Sequence, residues 1–348
     1  MIPVRNIYYM LSYAFQVLNE NGYSNISMEE FENTADLFAA ILSKGISLQL
    51  KRGLNKSYID LTEPLSAIKG KINVSDSIKT RSIMKSQLVC SYDEFSENCY
   101  FNKILKSTVF LLLKADISKA RKKELKNLML YFVNVDLIDV YSIDWHIKYN
   151  KNNQSYHLLL SICNLVIKGL LQTQSDGTAK LMTFLDEQRE CRLYEKFILE
   201  YYRKHYPMLS VNPEQIAWQI DDSDKNMLPI MQSDIMLRKG NHVFIIDAKY
   251  YLHNTQEQYG AHTLHSANLY QIFTYVKNKE YELKETEHKV SGMLLYAKTD
   301  DTIQPDNSYI MSGNRISVKT LDLNVPFEKI KEQLNSIVKH EFELQSSI

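Results

Sequence analysis

Hydrophobic and polar positions change period several times along this chain of 348 residues, and each change marks a boundary between predicted helix and predicted strand. Residues 7–18 carry apolar side chains at three- and four-residue spacing, which predicts a helix. Ser27-Met28-Glu29-Glu30 has the pattern of a capping box and predicts a second helix over 31–42. The period then shortens to two: Ser57-Tyr58-Ile59-Asp60-Leu61 and Gly70-Lys71-Ile72-Asn73-Val74 alternate as strands do, and residues 87–92 make a candidate third strand. Helical spacing returns over 98–114, continues to 131 after a break near Asp116, and recurs over 156–171. Asp176-Gly177-Thr178 marks a turn and divides the chain into two predicted domains, 1–175 and 176–348. The first is α+β. The second interleaves helices and strands: a helix over 181–205 with a stripe of Leu193, Phe197, Ile198 and Tyr201, strands near 216–220, 233–238 and 242–249, a helix around Gln271, strands over 290–296 and 315–321, and a closing helix over 327–340. No internal repeat or low-complexity segment interrupts this order.

Charge sharpens the picture. Lys and Arg total 41 and Asp and Glu total 41, so the formal charge is zero. A protein that grips nucleic acid alone gathers much of its affinity from excess basic residues. Neutrality allows a local basic patch but suggests that much of any grip on a polyanion lies with another subunit. Cys90, Cys99, Cys163 and Cys191 are scattered without a Cys-x-x-Cys pair, the usage expected of reduced thiols in a cytoplasmic protein, and no structural zinc site is expected. Arg5 and several tyrosines interrupt the first apolar stretch, and no run is long enough to span a bilayer, so neither a signal peptide nor a membrane segment is expected. Tyrosine is abundant, with 23 copies, a residue favoured at interfaces as well as in cores.

The chemistry concentrates in the second domain. Asp247-Ala248-Lys249 ends the apolar run Val243-Phe244-Ile245-Ile246, and Asp234 lies upstream in Gln232-Ser233-Asp234-Ile235. Arg238-Lys239-Gly240-Asn241 reads as the turn between two strands. If the strands pair, Asp234 falls beside Asp247, while Asp247 and Lys249 share a face. Two hard oxygen donors beside an ammonium suit Mg²⁺-assisted hydrolysis of a phosphodiester. Asp/Glu-x-Lys alone is a weak signal: Glu124-Leu125-Lys126 and Glu282-Leu283-Lys284 repeat it in charged stretches, and strand-end charges reaching water would give the same local pattern. The continuous apolar run favours chemistry, because an acid directly after a buried strand is poorly hydrated unless it holds a metal or a partner. Downstream, Leu269, Ile272 and Phe273 form a helical stripe, with Gln271 and Tyr275 one turn apart on another face, placed to orient a water, a phosphate or the lysine, or simply forming a surface pair. His262 and His265 would converge on a helix, but no acid follows at a useful spacing, and they read as polar surface. There is no phosphate-binding loop, since Gly70-Lys71-Ile72 lacks both the earlier glycine and the hydroxyl, and no Gly-x-Ser-x-Gly elbow.

Four segments together resemble the McrC family, the nuclease subunits of McrBC modification-dependent restriction systems. They are Ile2-Pro3-Val4-Arg5-Asn6-Ile7-Tyr8-Tyr9-Met10-Leu11, Leu228-Pro229-Ile230-Met231-Gln232-Ser233-Asp234, Ile245-Ile246-Asp247-Ala248-Lys249-Tyr250-Tyr251 and Asn268-Leu269-Tyr270-Gln271. The resemblance runs nearly end to end. The C-terminal half also resembles the PD-(D/E)xK nuclease superfamily, in its branch with a Gln-x-x-x-Tyr helix, with Ser233 standing where proline would precede the first acid. The resemblance implies an α/β nuclease fold with a central mixed sheet flanked by helices. It implies a Mg²⁺ ion held by Asp234, Asp247 and the Ala248 carbonyl, with Lys249 as the catalytic cation and Gln271 and Tyr275 in support. An early helix often donates a further acid in that superfamily; Glu195, off its helix's apolar stripe, is the candidate here, or a solvent-facing glutamate. The resemblance further implies DNA carrying modified cytosine as substrate. It implies a McrB-like AAA+ ring as partner, which would bind and hydrolyse GTP and would be stimulated by the N-terminal domain. It also admits a dimer of this chain in the assembled complex. Lys51, Arg52, Lys69, Lys71, Lys79 and Arg81 lie near the predicted N-terminal strands and are candidate partner contacts, or a solvated face. The alternatives are a stand-alone repair nuclease or exonuclease of the same superfamily, and a non-catalytic activator or scaffold for an NTPase.

Overall fold

An amphipathic helix opens the chain. Helix α1 (Val4–Ala14) buries Ile7, Tyr8, Met10, Leu11 and Ala14, and Asn6 donates from its side-chain amide to the carbonyls of Leu323 and Val325, at 2.8 Å each. The computed structural model describes residues 2–20, 23, 26, 28–151, 153–175, 187–221, 226–251, 253–258 and 261–343. Packing divides the backbone into two units, Met1–Leu18 with Leu185–Ile348, and Asn19–Phe184. This grouping differs from the division expected at 175/176 in one respect: α1 packs with the C-terminal unit, through contacts that no local pattern reveals. The predicted linker, Asp176-Gly177-Thr178, lies outside the described residues.

In the Asn19–Phe184 unit, α2 (Thr34–Arg52) begins at Asn33, whose side chain accepts the Asp36 N–H at 2.9 Å. The expected capping box is displaced: Ser27 lies outside the described residues, and Glu29 precedes the helix and pairs with Arg121. Strand β1 (Ser57–Leu65) and β2 (Lys71–Ile72) flank a shared antiparallel partner, Leu88–Ser96, which is β3. The predicted strand at 70–74 stops at Ile72 because α3 (Val74–Lys79) follows, with the Ser77 hydroxyl donating to the Asn73 carbonyl at 2.8 Å and accepting the Val89 N–H at 2.8 Å. Helices α4 (Tyr100–Lys114), α5 (Lys119–Met129) and α6 (Tyr156–Ser175) complete the unit. Leu42 and Ile46 of α2, Leu105 and Val109 of α4, and Leu159 and Ile162 of α6 lie in its fully buried core.

The other unit centres on a six-stranded mixed sheet, as expected. Its elements run α7 (Glu187–His205), β4 (Ser210–Asn212), β5 (Gln215–Ile216), β6 (Met231–Gln232), β7 (Ile235–Lys239), β8 (His242–Lys249), β9 (Gln256–Gln258), β10 (Ala261–Thr263), α8 (Ser266–Glu282), β11 (Lys289–Ala297), β12 (Asn307–Met311), β13 (Asn314–Leu321) and α9 (Phe327–Phe342). The sheet order is β12-β13-β11-β8-β7-β4, with β11 parallel to both β8 and β13 and the remaining pairs antiparallel. The strand expected over 216–220 is cut short at Ile216, since Trp218 donates from its ring to the Pro229 carbonyl and Gln219 N–H goes to Asn278.

Strand β8 is central and buried on both faces. Val243 and Ile245 face a core built with Ile272 and Val276 of α8, Val290 and Leu294 of β11, and Ile316 and Val318 of β13. Phe244 faces the other way, its ring centroid 6.4 Å from that of Phe342 on α9. Gly292 of β11 sets the approach of α8: a Cβ there would lie 2.7 Å from Val276 Cγ2 and 2.8 Å from Ile272 Cγ1. On the opposite face Glu341 of α9 is buried among His242, Ser291 and Arg315, and these partners hold its carboxyl below the usual glutamate range despite burial.

Candidate active site

The site is set by the β7–β8 hairpin. Its strands pair from Lys239↔His242 to Ile235↔Ile246 around the turn at Gly240-Asn241, and Gly240 takes a φ of 60° that side chains disfavour. One step beyond the last pair, the register sets Asp234 opposite Asp247. Asp234 precedes the strand proper, so its side chain is free to cap the end of the ladder: Oδ2 accepts the Ala248 N–H at 2.9 Å.

Asp247 continues the face of Val243 and Ile245 and is 1% exposed. Neither of its oxygens accepts a hydrogen bond of good geometry, although Lys249 Nζ lies 2.7 Å from Oδ2. Lys249, next on the same face, also donates to Gln271 Oε1 at 3.3 Å, and Gln271 in turn donates from Nε2 to the Tyr275 hydroxyl at 2.8 Å. Tyr275 does not stand on a separate polar face as predicted. Its ring is part of the α8 core and only its hydroxyl turns to Gln271, because the buried stripe of α8 runs through Asn268, Ile272, Tyr275, Val276 and Lys279. The chain of contacts from Tyr275 to Lys249 is thus anchored in packed hydrophobic side chains.

Glu195 approaches from α7. Cys191, one turn earlier, donates its thiol to Glu195 Oε1 at 2.9 Å and lies 3.6 Å from the Ala248 carbonyl oxygen. Burial pushes the Cys191 thiol up to about 12, with Glu195 adding to the effect, so it remains a donor at physiological pH. Cys191 went unrecognised in the sequence; its position one helical turn before Glu195 was the available signal. So did the links from Tyr251 through Asn268 to Tyr296, at 3.2 and 2.9 Å, which brace the strand end against α8.

The carboxyl groups strain against one another. Burial first, then the charges of Asp247 and Glu195, push Asp234 up to about 8. Burial likewise raises Asp247 and Glu195 above the ordinary carboxylate range. Lys249 responds in the opposite sense: burial favours its neutral form, but the Asp247 contact outweighs burial and holds its pKa above the ordinary lysine value. In the metal-free chain it is therefore a cation.

This donor set fits a hard divalent cation. A buried carboxylate with unsatisfied oxygens, a second carboxylate opposite and a backbone carbonyl at the strand end present only oxygen ligands. Among the described residues, no three His, Cys, Asp or Glu side chains gather as a metal cluster, so the pair plus the carbonyl is the set available. The two histidines considered above do not share a helix. His262 lies in β10 and contacts Thr255, whereas His265 precedes α8 and contacts the His253 carbonyl. No helix among the described residues is long and apolar enough to cross a membrane.

Comparison with known proteins places this geometry in context. A family model described as McrBC 5-methylcytosine restriction system component matches residues 4–297. Over 346 residues the chain is 29% identical to the type IV methyl-directed restriction enzyme EcoKMcrBC of Escherichia coli (strain K12), covering 97% of each chain. Among solved structures, it matches a chain of the half-complex from the tetradecameric assembly of Thermococcus gammatolerans McrB AAA+ hexamers with bound McrC. That match has a TM-score of 0.50 at 16% identity and covers 97% of this chain and 76% of the other, a likeness of fold.

Proposed function

The chain belongs to the McrBC 5-methylcytosine restriction system family, and from that premise we propose that it is the Mg²⁺-dependent DNA endonuclease subunit of a modification-dependent restriction complex. The observation that carries this reading is the buried Asp234–Asp247 pair, one register step past the β7–β8 ladder, with unsatisfied Asp247 oxygens beside a fixed ammonium.

Asp234, Asp247 and the Ala248 carbonyl would hold Mg²⁺, which when bound supplies Lewis-acid polarisation of the scissile phosphate and a more acidic water. Lys249, held as a cation beside Asp247 in the metal-free chain, would orient the attacking water and offset charge that grows on the phosphate oxygens. Gln271 limits the lysine to one direction, and Tyr275 limits Gln271. Glu195, which accepts from the Cys191 thiol, would act on the pair through its charge and not as a further ligand.

Strand cleavage by this subunit depends on a McrB-like AAA+ GTPase ring, which recognises the modified cytosine, binds and hydrolyses the GTP, and brings DNA to the site. The family relationship and the absence of a phosphate-binding loop support that division of labour. The Asn19–Phe184 unit is the part we assign to the partner. Of its candidate contacts, Lys69 pairs with Glu94 and covers the Tyr92 ring, and Lys79 pairs with Asp76.

The test is cleavage of methylated and unmethylated duplex in Mg²⁺, with and without the partner ring and GTP, for the native chain and for Asp247→Asn. Cutting of methylated DNA only with the partner, abolished by the substitution, is expected. Full cutting by a correctly folded Asp247→Asn protein refutes the site. Full cutting without a partner would point to the stand-alone nuclease instead.

A further inference from the structure

Helix α5 carries charge that no ion pair among the described residues neutralises. Leu125 is its buried residue, and Arg121 is engaged by Glu29 at 2.6 Å and by Glu124 at 2.7 Å. That uses the helix's one acid. Lys119, Lys122, Lys123 and Lys126 remain, spaced three and four apart, so they form one stripe along the helix. None has an ion-pair partner among the described residues. With Asn127 they line an open cavity of about 380 Å³. In a chain with 41 basic and 41 acidic residues, four uncompensated ammonium groups on one helix face are a local excess.

We propose that the α5 lysine stripe is a second DNA contact, a sequence-independent seat for the phosphate backbone of the duplex, carried on a different unit from the carboxylates. Charge complementarity identifies the occupant. At ~1.5 Å per residue the stripe runs about 10 Å, a length over which duplex DNA presents roughly six phosphate charges. Lysines are compact point charges suited to phosphate and are depleted at the centres of protein interfaces. The contact supplies grip and not sequence choice, which fits a subunit whose target is selected elsewhere. It rests on the reading that DNA is the substrate.

The experiment measures binding of the full chain to a short fluorescent duplex by anisotropy, in chelator to prevent cutting, across a potassium chloride series. The native chain is compared with Lys119→Gln/Lys122→Gln/Lys123→Gln/Lys126→Gln and with Asp247→Asn, and far-ultraviolet circular dichroism checks that all three are folded. At ~0.9 in log–log slope per phosphate neutralised, the quadruple variant should show a slope shallower by about 2 to 4, with affinity at low salt at least ~10-fold weaker. Asp247→Asn should keep the native slope here and lose cleavage in the separate Mg²⁺ assay with partner and GTP. A quadruple variant with native affinity and slope overturns the proposal, as does a native chain that does not bind duplex. If the variant binds DNA normally but no longer associates with the AAA+ partner, the stripe serves a protein and the proposal also falls. Failure of the nuclease reading is distinct: Asp247→Asn would then cleave, whatever the salt slopes.

Discussion

Replacing Asp234 with asparagine should make the protein more stable while destroying its activity, and the gain should depend on pH. In the native chain Asp234 is pushed from 3.8 up to about 8, by burial and then by Asp247 and Glu195. The unfolded chain releases that proton near pH 4, whereas the folded chain keeps it until about pH 8. The folded state thus binds more protons between those limits, and native stability falls as pH rises through that window. Asparagine does not titrate. Its side-chain oxygen can still accept the Ala248 N–H, and its amide can donate to a so far unsatisfied Asp247 oxygen. The interval from 3.8 to about 8, at ~1.4 kcal/mol per tenfold change, caps the effect at roughly 6 kcal/mol. Relaxation of the hairpin and entry of water reduce this to an expected gain of about 2–3 kcal/mol at pH 8 and under ~1 kcal/mol at pH 5. Urea unfolding without divalent cation, followed by Trp218 fluorescence in a Trp145→Phe background, reports on the unit that contains the site. An Asp234→Asn protein no more stable than native at pH 8, or equally stabilised at both pH values, refutes the reasoning.

Three further outcomes follow from the same geometry. Mg²⁺ must displace the proton held by the carboxyl pair, so its half-saturating concentration, measured by calorimetry, should fall about tenfold per pH unit from pH 6 towards 8 and then level off; a flat profile would show that the pair is ionised in the free protein. Lys249→Ala should lower the cleavage rate at saturating DNA and partner by ~10²-fold or more, and Gln271→Leu by a smaller factor without changing duplex affinity, since Gln271 acts through the lysine; equal losses for both would contradict that order. Gly292→Ala introduces a Cβ 2.7 Å from Val276 Cγ2, so it should cost about 1–3 kcal/mol in urea unfolding and also slow cleavage, because Ile272, the other side chain it meets, adjoins Gln271; a neutral result would mean α8 has room to move.

The carboxylate-bearing end of the sheet was the most legible part of the chain. An apolar run buried on both faces, a two-residue turn and period-two alternation are sufficient to set Asp234 across from Asp247, and β8 spans the residues that the pattern assigns to it. Short or marginal elements were less visible. β4 has 3 residues and takes its identity from pairing with β7, and β12 is an exposed edge strand held by β13, so neither carries a strong period of its own. The α8 stripe was placed slightly off because Tyr275 serves two purposes, ring to the core and hydroxyl to Gln271, and a binary reading assigns it only one. Cys191 was passed over because a single cysteine gains meaning only from Glu195 beside it and the Ala248 carbonyl across the layer. The division of the chain was least legible, since nothing near Asn6 signals a bond to Leu323.

That last bond has a consequence for how the molecule comes into being. The unit that holds the carboxylates is written in two pieces, Met1–Leu18 and Leu185–Ile348, with the Asn19–Phe184 unit inserted between them and tethered at both ends. During synthesis the inserted unit can complete its core while the first helix waits, its apolar side uncovered, for partners more than 300 residues away. The unit that bears the carboxylates therefore closes only after the segment around Leu323 has emerged. A ribosome stalled before the segment around Leu323 leaves the Asn19–Phe184 unit free to fold while α1 still lacks the carbonyls that its Asn6 bonds.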